Sequence, residues 1–517
     1  MRLVMLIASL FLSSAAQAEV DWVIRSDRVF TGEQNTPQAL DVALCGERIC
    51  RIAPLGAIKT TKNKLVDARG LIVAPGFIDP HTHALPELMH ADKAVNANYL
   101  TQGVTTVVVG NDGAGSADIQ GRTQAMLFHG IGTNVGLLVG HGAVRKQVLG
   151  QADTRPDKQQ LAAMKTLVRE AMKDGALGLS SGLFYTPGSF ADTQEVIALA
   201  QEVAPFSGYY DTHLRDEGAF NVGILAALDE AIAIAENASV PLHISHLKLL
   251  GVDVWGQSQA VIKKVEQAHE RGVVVSADQY PWLASGTSFR AALVPRWARA
   301  GGEAQLQARL TDTATLQKIK RDMADNLRGR GGADSLLITR GPTSYLGQTL
   351  GEVAEKREQS AVDTAIELIQ EATFGVASFN MQADDVKALM KQPWVVTSSD
   401  GSDGHPRKFA SFPRKYQDYV RNASVLTLAQ FIHQSSSKTA DVLGLPERGR
   451  IKVGYYADLT VFHPKNYAPR ATFEYWDRFS TGVRYLFVNG VPAIDEGELT
   501  GRRPGRVLRR QPDQQEP

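Results

Sequence analysis

Between residues 71 and 448 the chain alternates short apolar stretches with amphipathic stretches of helical length, and this alternation constrains the fold most. Strands that alternate with helices build a parallel sheet, because parallel neighbours need long crossover connections. Eight stretches have strand character: 71–79, 104–110, 134–140, 176–180, 208–213, 241–246, 273–278 and 394–399. Most run into polar residues and then a helical pattern, as at 160–172, 194–203 and 225–236. Eight such units predict an α/β fold, a TIM-like (β/α)8 barrel over 71–448. The interval before the last strand is too long for a crossover, so residues 283–375 read as an inserted lid subdomain.

The flanks read differently. Residues 21–30 and 40–53, and again 449–462 and 483–490, alternate β-branched and polar residues as half-buried strands do. They predict a small β-sandwich built from both chain ends, 19–70 and 449–500. The remainder, 501–517, carries Arg502, Arg503, Arg506, Arg509 and Arg510 and reads as a flexible, solvated tail. At the other end, Arg2, an apolar run over 3–12 and Ala16-Gln17-Ala18 have the pattern of a signal peptide over 1–18. A periplasmic or secreted protein is expected, free of the membrane after cleavage, since the run falls short of the ~20 residues a spanning helix needs. Export permits a disulfide between the two cysteines, Cys45 and Cys50. With Gly46-Glu47 as a hairpin turn, however, they become diagonal neighbours about 7–8 Å apart, which disfavours the bridge. Lysine plus arginine equals aspartate plus glutamate at 55 each, so no global field attracts nucleic acid.

The chemistry-bearing residues sit where the strands end. His81 and His83 close the first stretch, and residues two apart on a strand face the same way. His213 ends the fifth stretch, His246 the sixth, and Asp400 the eighth. His243 is an odd number of residues from His246, so it is expected to pack as a structural histidine. Strand ends of a barrel open on one face, and four histidines with a carboxylate there form a metal site. Nitrogen and oxygen donors suit zinc first, with iron, cobalt or manganese as other choices.

These motifs resemble the amidohydrolase superfamily, and more narrowly its D-aminoacylase branch, the N-acyl-D-amino-acid deacylases. The resemblance is carried by 75–83, by Gly140-His141-Gly142-Ala143-Val144-Arg145, by 175–183, by Thr212-His213-Leu214-Arg215-Asp216-Glu217, by Ile244-Ser245-His246-Leu247-Lys248, by Tyr280-Pro281, by His405-Pro406-Arg407, and by 449–459. It implies amide hydrolysis, one or two zinc ions and an inserted lid. It also implies a substrate carboxylate held by Lys248, Tyr280 and Arg407, whereas Ser285-Gly286 stands where the branch often has a serine pair. One departure concerns the turn after the second strand. The branch usually has a cysteine ligand there, and this chain has Gly110-Asn111-Asp112-Gly113. Asp112 is either a harder ligand, able to bridge two ions, or a turn aspartate bonded to its own backbone. No lysine lies in 176–181 to supply the bridge used elsewhere in the superfamily.

The expected reaction is deacylation of N-acyl-D-amino acids or of dipeptides containing a D-residue. Water acidified by metal from a pKa of roughly 15.7 to about 7 attacks the amide carbon. His213, His246 and Asp112 hold it, His81, His83 and Asp400 form the second half of the site, and Asp400 carries the proton to the leaving amine. Arg215, Asp216 and Glu217 are expected to form an ion-pair network beyond the ligands. Hydrolysis of cyclic amides or L-peptides, and a non-catalytic scaffold, stay open as other readings.

Overall fold

Eight parallel strands form a closed ring in the computed structural model, which describes residues 19–33, 36–61 and 64–510. The expected signal peptide lies outside the described residues. In order the strands are Phe77–Asp79, Val104–Val109, Asn134–Leu137 continued by Val139–Gly140, Gly178–Gly182, Tyr209–His213, Leu242–Ile244, Val275–Gln279 and Val395–Thr397. Each pairs in parallel with the next. A bridge from Thr82 to Gly401, with the Asp400 N–H donating to the His81 carbonyl at 2.9 Å, joins the last strand to the first. All six residues of Val104–Val109 are buried, as parallel strands covered on both faces require. The helix Lys158–Lys173 starts on a reciprocal Asp157–Gln160 capping box and buries Met164, Val168, Ala171 and Met172.

The single strand expected over 71–79 is two strands in two sheets. Ile72–Pro75 pairs antiparallel with Leu459–Phe462 in the β domain, and Phe77–Asp79 begins the barrel. The switch falls at Gly76, where a Cβ would lie 2.3 Å from Thr105 Oγ1. Both pieces are fully buried, so hydropathy shows no break between them.

The β domain is a nine-stranded sheet running from Arg48–Pro54 at one edge to Glu498–Leu499 at the other. Its two halves share one core, with Ile24, Val42 and Leu44 packed with Leu459, Val461 and Phe487. Here the cysteine expectation is corrected, because Cys45 and Cys50 form a disulfide. Leu44 opposes Ile49 while Ala43 opposes Arg51, so Cys50 is the extra residue of a β-bulge. The bulge kinks the strand and brings the two Cα atoms to 5.7 Å.

Two boundaries also move. The insert contains an antiparallel sheet of Ala284–Ser288, Gly375–Phe379 and Leu336–Arg340, so it runs past 375. It has its own core, including Phe289, Leu306, Ile319, Leu336 and Val376. The stretch expected as a free tail docks on the barrel as far as Arg510. Val507–Leu508 pairs in parallel with the third barrel strand. Arg503 donates to the carbonyls of His129 at 2.7 Å and Ala91 at 2.6 Å. Arginines that serve backbone carbonyls are indistinguishable in composition from solvated ones. Among the described residues no helix is long and apolar enough to cross a membrane.

One buried cation lies under the eighth strand. Lys415 Nζ donates to Thr397 Oγ1 at 2.9 Å and Gln434 Oε1 at 3.0 Å, and burial pushes its amine down to about 7. The unfolded chain keeps that proton to about 10.4, so between these values it binds more protons than the fold. Stability relative to a Lys415→Met variant is therefore expected to rise from pH 7 toward 10, by at most about 1.4 kcal/mol per pH unit, and to be flat below 7. Denaturant midpoints of both proteins across pH 6–10 check this, and parallel profiles would refute it.

Candidate metal centre

The barrel mouth gathers six ionisable side chains from five different strand ends. His81 and His83 follow the first strand, Asp112 the second and Asp400 the eighth, while His213 ends the fifth and His246 follows the sixth. The ligand atoms fall into two groups, each within 4.8 Å: His81, His83, Asp112 and Asp400, and then Asp112, His213 and His246. Asp112 belongs to both. Its Oδ2 is 3.5 Å from Nε2 of His81 and of His83, and its Oδ1 is 3.3 Å from His246 Nε2 and 3.6 Å from His213 Nδ1. Asp400 Oδ1 lies 3.1 Å from His83 Nε2 and 3.6 Å from His81 Nε2. The ring nitrogens His213 Nδ1 and His246 Nε2 approach to 2.9 Å.

Local backbone explains this convergence. Asp112, His246 and Asp400 all have left-handed backbones, with φ of 57°, 37° and 47°. Such conformations are costly outside glycine and persist where the surroundings over-determine them. Beside Asp112, Gly113 has φ of 73°, and a Cβ there would lie 2.8 Å from the Gly182 nitrogen. The glycine lets this turn lie against the fourth strand and aims the Asp112 carboxylate at the ring axis.

The electrostatics point the same way. Burial opposes charge on Asp112, but His81 and His246 outweigh it and hold the carboxyl well below its ordinary range. Burial likewise opposes charge on Asp400, and Arg407 leads the groups that overcome it. His246 is pressed down by burial and Lys248, yet Glu217, Asp400 and Asp112 lift it to about 9. The carboxylates thus draw positive charge into a buried space, and a divalent cation satisfies that demand. The donor set fits such an ion. Both ring nitrogens of His81 and Asp112 Oδ1 are buried without a hydrogen-bond partner, and nitrogen and oxygen donors of this kind bind zinc.

Below the ligands lies a supporting row. Asp278, at the end of the seventh strand, accepts the His246 N–H at 3.0 Å and contacts His243 Nε2 at 3.0 Å and His81 Nδ1 at 3.7 Å. His243 also bonds Ser276 Oγ at 2.9 Å, so both its ring nitrogens are engaged, and it belongs to neither ligand group. Asp79 Oδ1 accepts the N–H of Ser399 at 3.0 Å and of His81 at 3.3 Å.

A cavity of about 810 Å³ opens above, lined by His83, Asp112, His213, His246, Asp400, Lys248 and Arg407 among others. Arg407 Nη1 reaches Asp400 Oδ2 at 2.7 Å, and its guanidinium lies 4.7 Å from the Tyr280 ring. Tyr280 is buried behind it, its hydroxyl without a partner. Lys248 donates to Glu217 Oε1 at 2.5 Å and contacts His246 Nδ1 at 2.9 Å. The network expected of Arg215, Asp216 and Glu217 is therefore corrected. Arg215 pairs with Glu230 at 2.7 Å and Asp216 caps the backbone of Gly218, Asn221 and Gly223. Glu217 turns into the cavity instead, 3.0 Å from His246 Nδ1. It follows His213 by four residues, and on the irregular chain after the strand that spacing does not reveal its direction. Asp278 carried a usable signal, a carboxylate at a strand's C-terminal end, like Asp400.

The sequence matches the amidohydrolase family over residues 64–494. A D-aminoacylase from Alcaligenes xylosoxydans xylosoxydans is 31% identical, over 96% of this chain and 99% of its own. A crystal structure of D-aminoacylase, described as defining a novel subset of amidohydrolases, superposes with a TM-score of 0.82 at 29% identity, over 95% of this chain and all of that one. An N-acyl-D-glutamate deacylase from Bordetella bronchiseptica, solved with zinc and a phosphonate mimic of the tetrahedral intermediate, gives 0.81 at 29% over the same shares. Barrel, β domain, the histidines and carboxylates at the mouth, and full-length likeness agree, and the chain belongs to the D-aminoacylase branch of the amidohydrolase family.

Proposed function

We propose that this protein hydrolyses the linear amide of N-acyl-D-amino acids with zinc held at the barrel mouth. The observation that carries the reading is the pair of ligand groups sharing Asp112 beneath an open cavity. The relatives named above, a D-aminoacylase and an N-acyl-D-glutamate deacylase, support the substrate class.

His213, His246 and Asp112 would hold one ion, and His81, His83, Asp112 and Asp400 a second. When bound, such an ion polarises the scissile carbonyl and makes water acidic enough to react near neutral pH. Asp400 handles the proton. Its carboxylate is kept ionised by Arg407 and oriented by His83, so it accepts a proton from the attacking water and passes it to the leaving nitrogen. Lys248 and Arg407 face the cavity and would meet the substrate's carboxylate, with Tyr280 stacked behind Arg407. Tyr185, whose ring lies 4.7 Å from that of His213, covers one side of the ligands and limits access of bulk water.

We also infer that the enzyme is exported, to the periplasm or outside the cell. The n-region, apolar run and Ala16-Gln17-Ala18 support export, and the Cys45–Cys50 disulfide suits an oxidising compartment.

Three outcomes are expected. Zinc-loaded protein releases free D-amino acid from N-acetyl-D substrates faster than from matched L substrates; faster turnover of the L series would overturn the stereochemical assignment. Asp400→Asn folds and retains most zinc but loses roughly 10²–10⁴ in kcat, whereas Asp112→Ala binds zinc at least about 100-fold more weakly, since it removes the ligand common to both groups. Metal analysis beside circular dichroism separates the two, and full zinc occupancy in Asp112→Ala would remove that residue from the ligand set. Finally, N-terminal sequencing of the protein from a periplasmic extract should read from Glu19; an intact Met1 in the cytoplasm would refute export.

A further inference from the structure

The imidazoles of His213 and His246 meet a different carboxylate at each end. Their inner nitrogens, His213 Nδ1 and His246 Nε2, lie 2.9 Å apart and at 3.6 and 3.3 Å from Asp112 Oδ1. Their outer nitrogens face Glu217, which is 5% exposed. Its Oε1 is 3.0 Å from His246 Nδ1, and its Oε2 is 3.6 Å from His213 Nε2. One buried carboxylate therefore stands behind ligands from the fifth and sixth strand ends at once.

A neutral imidazole has one N–H, so a ring that turns a bare nitrogen inward to an ion carries its proton on the outer nitrogen. That outer N–H needs an acceptor. Beside His246 Nδ1 there is also the Lys248 ammonium, with Nζ at 2.9 Å. An ammonium has three donors and no acceptor, so against an N–H it offers only repulsion. Glu217 resolves the conflict. Its Oε1 accepts from Lys248 at 2.5 Å as well as facing His246 Nδ1, and Lys248 spends a further donor on the His246 carbonyl at 2.9 Å. Without this carboxylate, Lys248 would donate to Nδ1 and leave the imidazole proton on Nε2, the nitrogen that faces Asp112 and must be bare to bind an ion.

We propose that Glu217 is a positioning residue: it holds His246 in the tautomer that binds metal, supports His213 from behind by its charge, and keeps Lys248 from reversing that tautomer. The inference rests on the zinc reading above and gives Glu217 no contact with the reacting atoms.

The test measures the zinc affinity of the full chain by competition with a chromophoric chelator, beside circular dichroism and the visible spectrum of the cobalt-substituted protein. A glutamine at this position offers one acceptor where the carboxylate offers two. We expect E217Q to fold, to bind zinc roughly 10- to 100-fold more weakly and to shift the cobalt bands. K248M should keep both readouts near the unsubstituted values. The E217Q/K248M pair, which lacks the competing donor, should bind zinc about threefold or more tighter than E217Q alone. Unchanged affinity and cobalt bands in E217Q, or a pair no tighter than E217Q, would overturn the proposal. If E217Q does not fold, the pair decides, since it leaves no unpaired ammonium: it should fold and bind zinc more weakly than K248M, and either loss of fold or equal affinity refutes the positioning role. Failure of the unsubstituted chain to bind zinc would defeat the metal reading and this inference together, whereas normal binding without a response to E217Q defeats this inference alone.

Discussion

The barrel mouth depends on holding Asp112 ionised among four imidazoles, three of them buried. A carboxylate out of water is tolerated only where positive charge and well-directed hydrogen bonds replace its hydration. His81, His83, His213 and His246 all approach this one side chain to 3.6 Å or less. That requirement accounts for strained backbone at the site itself. The left-handed conformations at Asp112, His246 and Asp400 are local costs, offset because the barrel fixes the strand ends between which these residues must reach.

Rigidity of the ligands comes from below as much as from within. Asp278 touches His81, His243 and the His246 backbone, so one buried carboxylate from the seventh strand sets the orientation of groups on the first and sixth. A histidine whose far nitrogen faces a carboxylate presents its near nitrogen in a fixed direction and with raised basicity. Asp79 does the same for backbone, joining the first strand to the eighth at the closure of the ring. Ring closure and site geometry are therefore one construction. The Thr82–Gly401 bridge that completes the barrel lies between His81 and His83 on one side and next to Asp400 on the other.

Much of this was legible in sequence because barrel strands are short, buried and followed by their functional residues. His81, His83, His213, His246 and Asp400 each stand just beyond an apolar run, so strand periodicity located them. What escaped depends on direction rather than type. Glu217 and Asp278 are ordinary acidic residues until the chain's path aims one into the cavity and places the other under His81. The Cys45–Cys50 bridge escaped because a one-residue bulge changes the pairing that a regular hairpin would impose. The passage from one sheet to another at Gly76 escaped because burial is continuous across it. The docked segment around Val507–Leu508 escaped because two strand residues among arginines carry no hydropathic signal.

Charge placement also orders the cations of the barrel mouth. Barrel cations at the mouth, Lys248 and Arg407, are held against barrel anions, Glu217 and Asp400, which sets their positions before a substrate arrives. Such preorganised pairs lose little freedom when a ligand carboxylate joins them. The insert, with its own core, lines the same cavity from a unit separate from the strand ends.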